Sequence, residues 1–83
     1  MVISLNKEFN VLLFRKRFDY ASKDLYSTTL YCADGQKIRV YIDTGDKEIN
    51  IYTKDNLLNR KCYEEYTKSL KMELERFGVV KIH

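Results

Sequence analysis

The chain has 83 residues, 45% of them apolar and 33% charged, the balance of one small globular domain over 1–83 rather than a disordered tail. A core of that size supports two layers, which excludes a cleft between domains and a Rossmann or barrel enzyme. Fifteen Lys and Arg against twelve Asp and Glu leave a charge of +3, well short of the basic stripe of a DNA-coating protein.

In chain order, Val2 to Leu5 reads as a short strand. Residues 4–20 read two ways. As a helix, Leu5, Phe9, Leu12 and Leu13 fall on one side and Val11, Phe14, Phe18 and Leu25 on the other, which a lone amphipathic helix should not do. As a strand, Phe14, Phe18 and Tyr20 share one face and Arg15, Arg17 and Asp19 the other, with Lys16 misplaced on the apolar side. The strand reading is adopted, with a turn at Ala21-Ser22-Lys23-Asp24. The helical alternative would give the helix–three strands–helix order of double-stranded-RNA-binding domains. Their basic cluster has no counterpart in Asp55-Asn56-Leu57-Leu58-Asn59-Arg60-Lys61, where an acid at the helix start repels phosphate.

Leu25 to Ala33 is rich in Tyr and Thr and ends at Asp34-Gly35, a strong hairpin signal. Residues 37–43 alternate strictly, as do 48–51, and Thr44-Gly45 supplies the turn between them. From Asp55, a good N-cap residue, apolar residues recur at Leu58, Cys62, Tyr66, Leu70, Leu74 and Phe77, one stripe of an amphipathic helix. Glu64 and Lys68 add a favourable i,i+4 pair, and Gly78 stops the helix. Val79 to Ile82 reads as an edge strand. The expected fold is α+β: an antiparallel meander of four to five strands, one long C-terminal helix on a single face, and a short C-terminal edge strand.

Chemistry is sparse. His83 is the one histidine, and with Cys32 and Cys62 it is too little for a structural zinc site. No His lies near a Ser or Cys in a nucleophilic arrangement, and Gly35, Gly45 and Gly78 form no phosphate loop. No enzyme, cofactor or metal is expected. Two cysteines make no secreted disulfide framework, no signal peptide is read, and Val11-Leu12-Leu13-Phe14 is far short of the ~20 residues of a membrane span. The expectation is a cytoplasmic protein, not membrane-bound, with both thiols reduced and unpaired.

With two-residue turns at Asp34-Gly35 and Thr44-Gly45, the pleat sorts the side chains onto two faces. The core face takes Leu12, Phe14, Phe18, Tyr31, Ile38, Val40, Ile42, Ile49 and Ile51. The open face takes Arg15, Arg17, Tyr26, Leu30, Arg39, Tyr41 and Tyr52, with Cys32, Asp19, Asp43, Glu48 and Asn50. Tyr and Arg are enriched at binding hot spots, so Arg15, Arg17, Tyr26, Arg39, Tyr41 and Tyr52 form the expected partner site. A mixed Tyr/Arg/Asp/Glu surface suits a protein partner. A nucleic acid is the alternative, through base stacking and phosphate contact, and a homodimer is a further way to cover the face. Ten Lys to five Arg and seven Tyr suit an AT-rich genome. In size and composition the chain resembles short accessory proteins of phages and mobile elements, which would imply an inhibitor of a host protein or defence complex.

Overall fold

Residues 1–5, 9–45, 47–76 and 79–82 are described by a computed structural model. The elements are β1 (Val2–Leu5), α1 (Val11–Arg15), β2 (Asp19–Ser22), β3 (Leu25–Tyr31), β4 (Lys37–Thr44), β5 (Glu48–Thr53), α2 (Lys61–Arg76) and β6 (Val79–Ile82). Among the described residues the strands form one sheet in the order β2-β3-β4-β5-β1-β6, every neighbouring pair antiparallel. An antiparallel sheet with a C-terminal helix is the α+β class expected.

The alternation of residues 37–51 becomes the centre of the sheet. Ile38, Val40 and Ile42 on β4 and Ile49 and Ile51 on β5 are buried, and they share one cluster with Ile3, Phe14, Leu70 and Leu74. The β-branched residues suit a pleated, packed surface, and the period of two puts them all on one side. Thr44 is the last residue of β4 and pairs with Ile49, so four residues separate this last pair where the expected Thr44-Gly45 turn has two. The difference is an even number of residues, and the two faces keep their assignments.

The β3–β4 hairpin differs by one residue, with larger consequences. Tyr31 pairs with Lys37 and Leu30 with Ile38. The Cys32 amide donates to the Gln36 carbonyl at 2.9 Å and the Gly35 amide to the Cys32 carbonyl at 3.0 Å. This leaves a three-residue loop, Ala33-Asp34-Gly35, in which Gly35 takes the left-handed conformation at φ +88° that closes such loops. The one-residue slip turns β3 over. Tyr26, Leu30 and Cys32 therefore lie on the covered face, and Tyr31 is exposed on the other.

That slip also overturns the reduced thiols. Cys32 and Cys62 form a disulfide with Cα atoms 6.0 Å apart, joining the mouth of the hairpin to the first turn of α2. The two cysteines were expected on opposite sides of the sheet. The longer loop brings Cys32 to the side where α2 lies. Beside it, the Gln36 side chain donates to the Asn59 carbonyl at 3.2 Å and accepts from the Leu58 amide at 3.1 Å.

Two further boundaries move. Residues 11–15 are a short helix, not a strand, begun by Asn10, whose side chain accepts from the Leu13 amide at 3.1 Å. β2 starts only at Asp19, at the far end of the sheet from β1, which lies beside β5. Phe14 is buried in the core with Phe9 and Phe18 packed against the same cluster, and Leu12, expected in the core, is exposed. At the other helix, Asp55 caps nothing: its carboxylate accepts the Arg39 backbone N–H at 2.7 Å. α2 starts six residues later than Asp55 at Lys61, with the Asn59 side chain accepting from the Lys61 amide at 2.9 Å. Leu58 is consequently 92% exposed, while Cys62, Tyr66, Leu70 and Leu74 carry the stripe. Glu64 pairs with Arg60. Phe77, Gly78 and His83 lie outside the described residues.

Candidate interaction face

The pleat of β4 and β5 sets Tyr41 opposite Tyr52 on the side away from the core cluster. Their rings stack with centroids 5.4 Å apart and planes 20° apart. Such a pair is worth ~0.5–1.5 kcal/mol beyond burial. The Lys54 ammonium lies 5.1 Å from the Tyr41 centroid, and that of Lys37 lies 5.7 Å from the Tyr31 ring. Arg39 is exposed and donates to the Thr29 hydroxyl at 2.8 Å. Lys37, Arg39 and Lys54 have no ion pair among the described residues.

Charge is sorted along this face. Lys37, Arg39 and Lys54 lie toward the β3–β4 hairpin, with the Tyr41–Tyr52 row next to them. Beyond that row come Asp43, paired with Asn50, and Glu48, paired with Ser4. In the tyrosine row itself, Ser27 sits between Asp19 and Tyr41. It is fully buried, and its hydroxyl has no hydrogen-bond partner among the described residues.

The six residues expected to act together divide evenly. Arg39, Tyr41 and Tyr52 share the face just described. Tyr26 pairs with Ile42 on the covered face. Arg15 reaches the same side: it donates to the Thr44 hydroxyl at 2.8 Å, the Thr44 carbonyl at 3.1 Å and the Asp24 carboxylate at 2.9 Å. Its guanidinium also lies 5.6 Å from the Tyr26 centroid, so it is a clamp on the β2–β3 turn. Arg17 pairs with Glu73 of α2 and lies against the Phe14 and Phe18 rings at 5.9 and 5.7 Å. A helical turn at residues 11–15 aims both arginines at the covered side, which a strand would not have done.

Tyr31, Lys37 and Lys54 lie on the same side as Tyr41 and are absent from the expected set. The parity of β4 and β5 could have supplied the two lysines, whereas Tyr31 needed the true hairpin register. On the covered side, Phe9, Asn10, Leu13, Phe14, Arg17, Glu73 and Leu74 line a shallow cleft of about 270 Å³. It is largely apolar, with the Arg17–Glu73 pair at its edge.

Among the described residues no three His, Cys, Asp or Glu side chains are placed to hold a metal ion. No described helix is long and apolar enough to cross a membrane. No family model, no curated protein and no solved structure matches the chain.

Proposed function

We propose that the protein is a small, non-enzymatic protein-binding module that works through the face centred on Tyr41 and Tyr52. The observation that carries this reading is the stacked tyrosine pair flanked by Arg39 and Lys54, none of which joins the core cluster. Aromatic and Arg side chains presented together are the composition of a binding hot spot. The reading takes α1 and α2 to lie on one face of the sheet, β6 to close one edge, and the other face to stay free. It is supported by Phe14, Leu70 and Leu74 sharing a cluster with the even-numbered residues of β4. Acting by occupancy fits an inhibitor of a host protein or defence complex, as in accessory proteins of phages and mobile elements.

The second reading, a nucleic-acid surface, is favoured by one feature, the grouping of Lys37, Arg39 and Lys54 with three tyrosines. Base stacking needs open ring faces. The π-faces of Tyr41 and Tyr52 are engaged by one another and Tyr41's also by Lys54, which ranks this reading second. The test is capture from nuclease-treated extract of the source organism, with the wild type and Tyr41→Ala as baits. A protein captured by the wild type and lost about tenfold with Tyr41→Ala is expected. Capture that depends on intact nucleic acid, or that ignores Tyr41, sinks the reading.

A further inference from the structure

We infer that one occupant of this face is a second copy of the chain, docked face to face about a two-fold axis through the tyrosine row. The inference rests on the protein-binding reading and names a partner for the same surface. Its basis is the charge order along two adjacent strands. On β4, Arg39 and Asp43 flank Tyr41 at two residues on either side, each about 7 Å along the strand. On β5, Asn50 lies two residues before Tyr52 and Glu48 beyond it on the acidic side, while Lys54, just past the strand's end at Thr53, lies two residues after Tyr52 and reaches the Tyr41 ring.

A two-fold interface is self-complementary: residue i meets residue j, and j meets i. An axis lying between the sheets and across the strands at the Tyr41–Tyr52 row reverses strand direction while keeping β4 over β4. Arg39 of one copy then meets Asp43 of the other, twice. Lys54 meets Asn50 and the approach to Glu48, also twice. The tyrosines of both copies form the centre, where large aromatic rings supply contact area. An axis along the strands would set cation on cation, so the charge order selects one of the two arrangements. Asp19, in the tyrosine row on β2 at the end of the sheet, would face its own copy and sets a cost at the rim.

Charge exchange tests this directly, by sedimentation equilibrium up to about 1 mM protein, the scale of a weak association. The expected result is a dimer that Arg39→Glu and Asp43→Arg each weaken at least about tenfold, as like charges are brought together. The variant carrying both changes restores complementarity across the axis and should recover most of the lost affinity. Both side chains are exposed, and circular dichroism confirms that each variant is folded. A monomer at every concentration overturns the inference, as does a dimer indifferent to both single changes, or a double variant weaker than either single one. If the chain stays monomeric while Tyr41→Ala still loses a captured protein, the second copy is excluded and the protein-binding reading stands. Dimerisation by charge exchange with capture indifferent to Tyr41 limits the face to self-association.

Discussion

β4 carries two different proteins on its two sides. Its even residues, Ile38, Val40, Ile42 and Thr44, are buried, while Lys37, Arg39 and Asp43 are exposed and Tyr41 is half-buried. The buried side meets β-branched neighbours, both helices and the Arg15 clamp. The other side meets aromatic rings, cations and carboxylates whose partners lie mostly on the same surface. The packing that holds the fold is therefore concentrated on one side of a strand, and the side chains of the other take no part in the core cluster. A two-residue repeat makes that division possible within a single strand.

The sharpest way to break this contrast is to cut into each side in turn. Ile42→Ala removes a side chain that is 0% exposed, and should cost about 3–5 kcal/mol from lost burial and the cavity left behind. Tyr41→Ala should cost no more than about 1 kcal/mol, mainly the stack on Tyr52. Urea denaturation of both variants gives the comparison. Equal losses would mean that the odd side is part of a core.

The disulfide tests the register that divides β3 between the sides. Its ends are 30 residues apart, and closing a loop of that size in the unfolded chain is worth about 3–4 kcal/mol on the chain-entropy account. Cys32→Ser with Cys62→Ser, or reduction of the wild type, should lower the urea midpoint accordingly. Thiol titration of the unfolded, unreduced protein should find none. Finding two would show that the hairpin and α2 are not covalently joined, and reduction would then leave the urea midpoint unchanged.

Two arginines once expected to act together sharpen the contrast further. Arg15→Ala breaks hydrogen bonds to Asp24 and Thr44 from a side chain only 21% exposed and should destabilise by about 2 kcal/mol. Arg39→Ala should change stability by less than about 0.5 kcal/mol, with its effect appearing in binding instead. Reversal of that order would put Arg15 back on the open face.

What could be read in the sequence follows from the same physics. Strict alternation in β4 and β5 defines faces without any knowledge of the partner strand, so it puts Ile38, Val40, Ile42, Ile49 and Ile51 on the core side and Arg39, Tyr41 and Tyr52 on the other, as the structure does. The β3 hairpin was not, because Asp-Gly serves both two- and three-residue loops, and one residue reverses a strand. α1 was hidden by its length: five residues in a crossover that buries Phe14 and exposes Leu12 and Leu13 present no single stripe. The start of α2 was misread because Asp55 has a rival use, accepting the Arg39 amide beyond the last β4–β5 pair, Val40 with Thr53. Local capping chemistry cannot reveal that competition.

The smallest expected effect lies at the margin of the covered side. Burial pushes the Tyr66 hydroxyl above its ordinary pKa near 10.0, Arg17 opposes that shift, and Glu73 adds to it. The folded state therefore holds the phenol proton after the unfolded chain has begun to release it. Stability from this source is complete below about pH 10 and falls as pH rises from there through the folded pKa, because the unfolded state then binds fewer protons. Tyr63 shifts the same way through burial, opposed by Arg60. Urea midpoints at about pH 9 and pH 11 should show a decline that Tyr66→Phe reduces and Tyr63→Phe with Tyr66→Phe reduces further. The comparison is of slopes, so any constant cost of losing the hydroxyls cancels. A decline of equal size in the double variant would assign the alkaline loss to other groups, and Tyr66 would belong with the solvated side chains rather than with the packing of α2.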